Sequence, residues 1–599
     1  MPKMMQNRMC APGKSRRGIG GVLRELFTYS NKLKAPSVAA FCFAVAGAVL
    51  TIIGPSLLSR ITDLISDALD GEIDLAAIGR TGVILLVIYG FSAVFTYVEH
   101  FIMATVTLEL SRDMRQDLSR KINRVPMSYF SKVSYGDILS RITNDVSTLQ
   151  QALANSLPSM ISAAAQFLGC LVMMFVTEWR MALAAIAVTA LGFLIMAAVM
   201  LRSQKYFTAR QENLSTLNGY IEEMYSGHDV VRLSRANEQV KETFGGMNAV
   251  LYDAEWRSQF LSGIMQPLMT IIGNLGYVAV CVLGSALAMS GEISFGVIVA
   301  FILYVRLFTS PLSTLAQGMT QMQTAAAAGD HVFDFLHEKE LPDETGKRPE
   351  LSPVQGEVEF EHVRFSYPNH PDKIIIKDFS AHIQPGQKVA IVGPTGAGKT
   401  TMVNLLMHFF EINSGNIKID GVPTSEMTRE GVHDLFSMVL QDTWLFEGTV
   451  RENLVYNKTG VTDQQLEEAC RACGIYHFIE TLPHGFDTVL DDSIAISSGQ
   501  KQLLTIARAM IQGNPMLILD EATSSVDTRT ELITQQAMDR LTEHRTSFVI
   551  AHRLSTIKNA DLILVLKDGD IIEQGTHKEL LAKGGFYADL YNSQFEKAS

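Results

Sequence analysis

This 599-residue sequence has few cysteines and no excess of positive charge. Its six cysteines do not follow the spacing of a disulfide framework, which favours a reducing compartment. Cys470 and Cys473 form a Cys-x-x-Cys pair, but without a second pair or a nearby histidine we interpret them as structural. The net charge is −12, with 62 acidic and 50 basic residues. A nucleic acid partner is therefore excluded, because binding to phosphates needs a strongly basic face.

Charge is also missing from long stretches of the N-terminal half. The first thirty-odd residues are basic and lack an apolar core of signal-peptide length, so we expect this end to stay inside the cell uncleaved. A bilayer needs about 20 apolar residues per helix. Six segments come close to or exceed this length, which predicts six transmembrane helices: 37–60, 79–104, 152–176, 181–202, 260–289 and 293–318.

The loops between these segments are unequal in length and charge. The stretches 105–151 and 203–258 are long and rich in lysine and arginine, whereas other loops are minimal. The positive-inside rule places the long loops and both termini in the cytoplasm, with the chain in the cytoplasmic membrane. We expect four parts in chain order: an N-terminal segment with an elbow helix (1–35), a transmembrane domain (36–322), a linker (323–354) and a soluble α/β domain (355–599).

A few polar side chains interrupt the apolar segments. Such residues are costly in lipid and tend to face a cavity or another helix. Interhelical hydrogen bonding is one interpretation, or for Glu99 and His100 a position at the inner lipid head groups. A countercharge for a cationic substrate is the other interpretation for Glu99. The residues concerned are Glu99, His100, Gln166, Gln266, Asn274 and Arg306.

A glycine-rich segment follows an apolar run in the C-terminal half. Residues 393–400 match G-x-x-x-x-G-K-[ST], between the apolar run 389–392 and a helical pattern that begins near Met402. Glycines let backbone N–H groups close around phosphate oxygens, Lys399 adds positive charge, and Thr400 can bind Mg²⁺. The predicted ATP site comprises Gly393, Thr395, Gly396, Ala397, Gly398, Lys399, Thr400 and Thr401.

Two acidic residues follow another apolar run, 516–519, which has the composition of a strand buried on both faces of a parallel sheet. Asp520 is predicted to hold Mg²⁺, and Glu521 to take a proton from the attacking water as general base. His552 follows the apolar run 548–551 and is placed to reach the γ-phosphate. The predicted fold is an α-helical polytopic membrane domain followed by an α/β P-loop nucleotide-binding domain.

Over nearly its whole length the sequence resembles the exporters of the ATP-binding cassette (ABC) transporter family, which carry six helices per half. The segment Ile496-Ser497-Ser498-Gly499-Gln500 is similar to the family's signature Leu-Ser-Gly-Gly-Gln. General P-loop ATPases lack this signature.

The resemblance implies further roles. Tyr367 would stack on adenine, and Gln441 would bind Mg²⁺ and couple the ATP site to the membrane domain. Asp527 matches a loop that crosses the dimer interface. Residues 129–141 and 220–232 resemble the two cytoplasmic coupling segments.

The signature acts across a dimer interface in this family, so the resemblance implies a second half-transporter as partner. Ser497, Ser498, Gly499 and Gln500 would act on the partner's nucleotide. Ser498 replaces the first glycine of the signature, and the loop before it, 491–495, lacks the usual glycines. An altered signature beside intact catalytic residues resembles one half of the bacterial heterodimeric multidrug exporters, with one degenerate ATP site. A homodimer in which Ser498 is harmless is the alternative.

The function implied by the resemblance is export of small hydrophobic or amphipathic compounds by alternating access, driven by ATP with Mg²⁺. A lipid or peptide exporter of the same architecture is an alternative. An ATP-gated channel is disfavoured, since a gate that only binds ATP has no use for Glu521.

Overall fold

The computed structural model describes residues 17–67, 73–441, 443–491, 494, 496–520, 528–551 and 554–595. They form two compact units. The helical unit takes in the described residues up to Asn123 together with Gly136–Glu338, and the sheet unit takes in Arg124–Tyr135 and the described residues from Lys339 onward.

Long helices dominate the first part of the chain. Short π-helical turns at Arg141–Asp145 and Ala152–Ser156 connect three of them. The helices are α1 (Gly18–Tyr29), α2 (Lys34–Asp67), α3 (Leu75–Ile122), α4 (Met127–Phe130), α5 (Tyr135–Ser140), α6 (Val146–Gln151), α7 (Leu157–Thr177), α8 (Trp179–Ser226), α9 (His228–Leu233), α10 (Asn237–Met289) and α11 (Phe295–Leu336).

Within the described residues, six helical stretches are long and apolar enough to span a membrane. Their number and order confirm the prediction of a six-helix membrane domain. Each contains 37 to 53 residues, far more than the roughly 20 that a bilayer requires, so the helices extend beyond the lipid. The stretches are Asn31–Asp67, Leu75–Ile122, Tyr135–Thr177, Trp179–Ser226, Asn237–Met289 and Phe295–Leu336.

Tyr304 lies at the centre of the apolar core of the helical unit and is fully buried. Its hydroxyl is 2.8 Å from that of Ser56 on α2, and its carbonyl accepts a hydrogen bond from the Cys170 thiol on α7 at 3.2 Å. Polar groups in an apolar interior need such partners. These bonds connect α2, α7 and α11.

Ten strands of the sheet unit form one mixed sheet in the order β5-β4-β1-β2-β12-β11-β3-β10-β9-β6. Strands β11, β3, β10, β9 and β6 run parallel, whereas β1 pairs antiparallel with β2 and β4. Strands β7 and β8 pair separately. The strands are β1 (Val358–Ser366), β2 (Ile374–Ile383), β3 (Lys388–Val392), β4 (Ser414–Ile419), β5 (Val422–Pro423), β6 (Phe436–Val439), β7 (Gly448–Thr449), β8 (Val489–Leu490), β9 (Met516–Asp520), β10 (Thr546–Ile550), β11 (Leu562–Lys567) and β12 (Asp570–Gly575).

Helices cover this sheet, and a second apolar core forms around α14 to α17. Cys470 and Cys473 lie inside that core, where burial raises the pKa of each thiol to about 12. The helices are α12 (Lys399–Leu406), α13 (Arg429–His433), α14 (Val450–Val455), α15 (Asp463–Ala472), α16 (Tyr476–Thr481), α17 (Ser498–Gln512), α18 (Thr528–Thr542), α19 (Leu554–Lys558), α20 (His577–Lys583) and α21 (Phe586–Phe595).

A two-residue turn joins β11 to β12 next to the centre of the sheet. Asp568 and Gly569 both have positive φ, 51° and 86°, as a type I′ hairpin turn requires. A Cβ atom on Gly569 would collide with the backbone carbonyl of Ile375 on β2. Glycine is therefore required here for its conformation and for its lack of a side chain.

We expect Gly569→Ala to lower the free energy of unfolding of the sheet unit by about 2 to 4 kcal/mol, since it adds strain at positive φ to a backbone collision. Gly584→Ala is the matched control, because Gly584 has a φ of 60° but open space at its Cβ position. Its cost should be about 1 kcal/mol. Differential scanning calorimetry of the full chain compares the two. Equal decreases in stability for the two variants would show that the collision of the new Cβ with the Ile375 carbonyl is relieved without cost.

Candidate functional site at the carboxyl edge of the sheet

The carboxyl ends of four parallel strands meet at one edge of the sheet. Strands β3, β10, β9 and β6 are neighbours with parallel registers, so the residues that follow them leave the sheet on the same side. This edge is where α/β proteins bind their ligands. It brings the glycine-rich loop after β3 close to the end of β9 at Asp520.

The glycine-rich loop leads directly into α12. Gly396 and Gly398 have φ values of 84° and 105°, in the left-handed region that glycine adopts without strain. Gly398 is the N-cap of α12, and a Cβ there would lie 2.8 Å from a methyl group of Ile376. The loop can therefore direct its backbone N–H groups inward at a helix N-terminus, an arrangement that favours phosphate.

Lys399 is the first residue of α12, and its side chain folds back over the loop. Its ammonium donates hydrogen bonds to the carbonyls of Gly393 at 2.7 Å and Pro394 at 3.1 Å. Burial lowers the pKa of Lys399, and the charge of Asp520 opposes this shift. An ammonium has three donors, so one remains for a phosphate oxygen.

Oxygen donors for a metal ion lie around the same loop. The Thr400 hydroxyl is exposed in the first turn of α12, Asp520 is half-buried at the end of β9, and Gln441 is exposed two residues after β6. A single carboxylate with neutral oxygens suits Mg²⁺, which keeps several waters and shares phosphate oxygens. The residues present therefore fit the predicted ion.

Tyr367 lies beside the loop but is engaged with the protein. Its hydroxyl is 3.0 Å from that of Thr401 on α12, and its ring packs edge-on against Phe365 and Phe410. These contacts hold a half-buried aromatic ring next to the phosphate-binding helix.

The signature segment forms the start of α17. Ser497 caps this helix: its hydroxyl accepts from the N–H of Gln500 at 3.2 Å, and the Gln500 side chain accepts from the N–H of Ser497 at 2.9 Å. Ser498 is exposed on the first turn, and Gly499 is buried. The segment thus presents a helix N-terminus, which attracts anions.

Three predicted residues lie outside the described part of the chain. They are Glu521, Asp527 and His552. The strands that precede Glu521 and His552 are described, and both end at the edge that carries the glycine-rich loop.

A contact that sequence reasoning missed involves Asn369, two residues after Tyr367. Its amide donates to the hydroxyl of Ser131 at 2.5 Å and to the carbonyl of Ser128 at 3.4 Å. Residues 128 and 131 belong to the segment around α4, whose carbonyl at Arg124 accepts from the N–H of Leu341 at 2.8 Å. No local pattern marks Asn369, because its partners lie some 240 positions earlier in the chain.

The structure places the polar residues of the spanning helices in different surroundings. Glu99 is 2 % exposed on the wall of an apolar cavity of about 450 Å³. Asn274 and Arg306 line a different cavity, between α10 and α11. Gln166 is half-buried, His100 is exposed, and the side chain of Gln266 lies outside the described part.

Comparison with known proteins covers both units. Residues 37–312 match the family described as ABC transporter transmembrane region, and residues 376–524 match the family described as ABC transporter. A "Fatty acid ABC transporter ATP-binding/permease protein" of Mycobacterium bovis is 41 % identical over 92 % of this chain and 93 % of its own length. The chain belongs to the ABC transporter family.

Other members of the family carry different substrate names. An "ATP-dependent lipid A-core flippase" of Syntrophus aciditrophicus is 30 % identical over 99 % of this chain and 98 % of its own. A "Probable multidrug resistance ABC transporter ATP-binding/permease protein YheH" of Bacillus subtilis is 32 % identical over 86 % of this chain and 77 % of its own.

Membership establishes the general activity. This ABC transporter is a multi-pass membrane protein that binds ATP and couples ATP hydrolysis to transport. Half-transporters of the family, with one membrane region and one ATP-binding region in a chain, generally dimerise.

We expect Lys399→Ala to weaken ATP binding by about 10- to 100-fold, the loss typical of a hydrogen bond to a charged group. Lys388→Ala is the matched control: it removes a lysine at the opposite end of β3, where the ammonium is 3.1 Å from Asp539. Equilibrium binding of a fluorescent ATP analogue to the full chain measures both. The same loss in both variants would contradict a specific role for Lys399.

Proposed function

We propose that this protein is one half of an ATP-driven exporter of hydrophobic or amphipathic compounds in the cytoplasmic membrane. One observation carries the proposal: six spanning helices share a chain with a glycine-rich loop that closes on a helix N-terminus at Lys399. The relatives support the substrate class, because a fatty acid and a lipid A-core are both amphipathic. Lysine and arginine in the long loops favour a cytoplasmic location for the ATP-binding domain and both termini.

The proposed ATP site uses the residues at the carboxyl edge of the sheet. The loop N–H groups and Lys399 hold the β- and γ-phosphates, while Tyr367 packs against adenine. Thr400, Asp520 and Gln441 would hold Mg²⁺, which neutralises phosphate charge when bound. Glu521 takes a proton from the attacking water, and His552 contacts the γ-phosphate.

The site is completed by a second half-transporter. The N-terminus of α17, with Ser497 to Gln500, presents N–H groups and a hydroxyl to the nucleotide held by the partner, and Asp527 lies at the interface. ATP then favours the closed pair of ATP-binding domains over the separated pair. Its binding energy shifts the membrane helices between inward- and outward-facing arrangements. The segment around α4, held by Asn369, transmits the motion.

A heterodimer with one degenerate site is the assembly that we propose, and a homodimer is the alternative. Ser498 takes the ordinary helical conformation, so glycine is not needed there for the backbone. The serine instead changes what faces the opposing nucleotide, by adding a hydroxyl and a Cβ. Together with the glycine-poor loop before it, this supports a partner whose own ATP site is degenerate.

A lipid exporter is the second candidate function. It differs from a multidrug exporter only in substrate, and the names of two relatives favour it.

We expect Glu521→Gln to keep ATP binding and to reduce hydrolysis by about 100- to 10,000-fold, the usual contribution of a general base. Glu543→Gln, an exposed site at the end of α18, makes the same change elsewhere and should leave hydrolysis unchanged. Phosphate release and nucleotide binding are measured in parallel on the assembled dimer. Normal ATP turnover by Glu521→Gln would show that Glu521 is not the general base.

We expect the chain purified alone in detergent to be monomeric or inactive, because the proposed partner is missing. If it does form an active dimer, Ser498→Gly should raise its ATPase rate markedly, and Ser498→Ala separates the effect of the hydroxyl from that of the Cβ. Native mass and phosphate release report the two results. A stable dimer of identical chains with an ATPase rate that neither substitution changes would establish the homodimer.

A further inference from the structure

An arginine lies inside the last apolar stretch of the helical unit. Arg306 is eleven residues after Phe295, the first residue of α11, and a helix rises 1.5 Å per residue, so it lies about 16 Å along the helix. Arg306 therefore lies near the middle of the apolar segment 293–318, which is about as long as a bilayer requires. A charge there is costly, and such residues mark a cavity or a pathway by default.

Within the described part of the chain, no carboxylate is paired with Arg306. Two carboxylates of the spanning helices, Asp63 and Glu99, have other surroundings. Asp63 on α2 accepts hydrogen bonds from the Ser294 hydroxyl at 2.9 Å and the Gly296 N–H at 2.7 Å. Glu99 lies on the wall of the other cavity. The guanidinium therefore keeps its five donors and its full charge.

Arg306 faces a cavity of about 670 Å³. Residues at helical spacing form its two walls, since side chains three, four or seven positions apart share one face of a helix. The volume is in the range of pockets that hold drug-sized ligands. The walls are formed by Thr270, Gly273, Asn274 and Tyr277 on α10 and by Ile302, Val305, Arg306, Thr309, Ser310 and Ser313 on α11.

The polar groups of this cavity include donors besides the guanidinium. Asn274 offers two amide hydrogens, whereas the Tyr277 hydroxyl is hydrogen-bonded to Cys281 in its own helix. Ser313 accepts a hydrogen bond from Gln317 at 3.5 Å, which leaves its own hydrogen available. Thr309 differs, because it donates to the carbonyl of Val305 at 3.0 Å in its own helix.

One positive charge, several donors and no carboxylate among the described wall residues fit an anion. The same walls carry apolar surface from Ile302 and Val305, on which an alkyl chain can lie. A guanidinium beside amide and hydroxyl donors suits a carboxylate or a phosphate, which it binds through paired hydrogen bonds.

We propose that the cavity between α10 and α11 binds the anionic head group of an amphiphilic substrate, with Arg306 as the residue that selects its charge. The proposal rests on the proposed export function and narrows its substrate class to amphiphiles with a carboxylate or phosphate head. It sets aside Glu99 as a countercharge for a cationic substrate.

The test is stimulation of ATP hydrolysis by the assembled dimer in proteoliposomes. Three probes share one chain length and differ only in head group: palmitate, hexadecanol and hexadecylamine. We expect palmitate to stimulate at the lowest fraction of membrane lipid. Arg306→Gln should raise its half-stimulating fraction by about 10- to 100-fold, as expected when a charged hydrogen bond is lost.

Two more variants keep the test independent of folding defects. Arg306→Lys retains the charge and should keep the preference for palmitate, though more weakly. Arg306→Glu should transfer the preference to hexadecylamine, a gain that a misfolded protein cannot show. Arg80→Gln makes the same charge change on α3 away from the cavity, and should leave all three stimulation curves unchanged.

The outcomes distinguish a carboxylate from a phosphate head group, and they separate failure of the proposed site from failure of the proposed export function. Stronger stimulation by phosphatidic acid than by palmitate supports the site and identifies phosphate as the preferred head. Equal response to all three probes, or no change in preference with Arg306→Gln or Arg306→Glu, overturns the site. The site is also overturned if Arg306→Gln no longer forms a dimer by native mass but keeps the preference for palmitate, since Arg306 then pairs with the partner subunit. If no amphiphile stimulates hydrolysis or is transported, the export function itself fails.

Discussion

The candidate ATP site depends on the parallel pairing of β6, β9, β10 and β3. In this register the loop after β3 and the carboxylate at the end of β9 leave the sheet at the same edge. Were either strand reversed, Asp520 would lie a full strand length from Lys399. Continuous burial of these strands on both faces stabilises the arrangement, because a parallel sheet needs helices on each side.

Lys399 shows how the same loop can be stable and ready to bind phosphate. Two carbonyl oxygens of the loop accept from its ammonium, which satisfies a buried charge that would otherwise be costly. The burial that lowers its pKa also strengthens its attraction to any anion that enters, because the local dielectric constant is low. The charge of Asp520, at the end of β9 two strands away, opposes this lowering of the pKa.

The helical unit follows a different constraint. Backbone groups in lipid must be hydrogen-bonded within the protein, and the six spanning stretches in the described part of the chain are accordingly helical. Polar side chains within these helices are exceptions, and each of them indicates a structural or functional role. Ser56 and Tyr304 satisfy each other in the core, whereas Arg306 and Asn274 line the same cavity from two helices. The first pair contributes to stability, and the second is where we propose that a ligand binds.

Much of the fold and part of the site could be read from the sequence, because hydrophobic run length and the spacing of glycines around Lys399 are local properties of the chain. The six spanning stretches found in the described residues and the glycine-rich loop after β3 are of this kind. Only the tertiary structure could show that Asn369 binds Ser131, that Tyr367 bonds to Thr401, and that Arg306 faces α10 across a cavity. These contacts join residues that are distant in sequence, and they are decided by how whole elements pack.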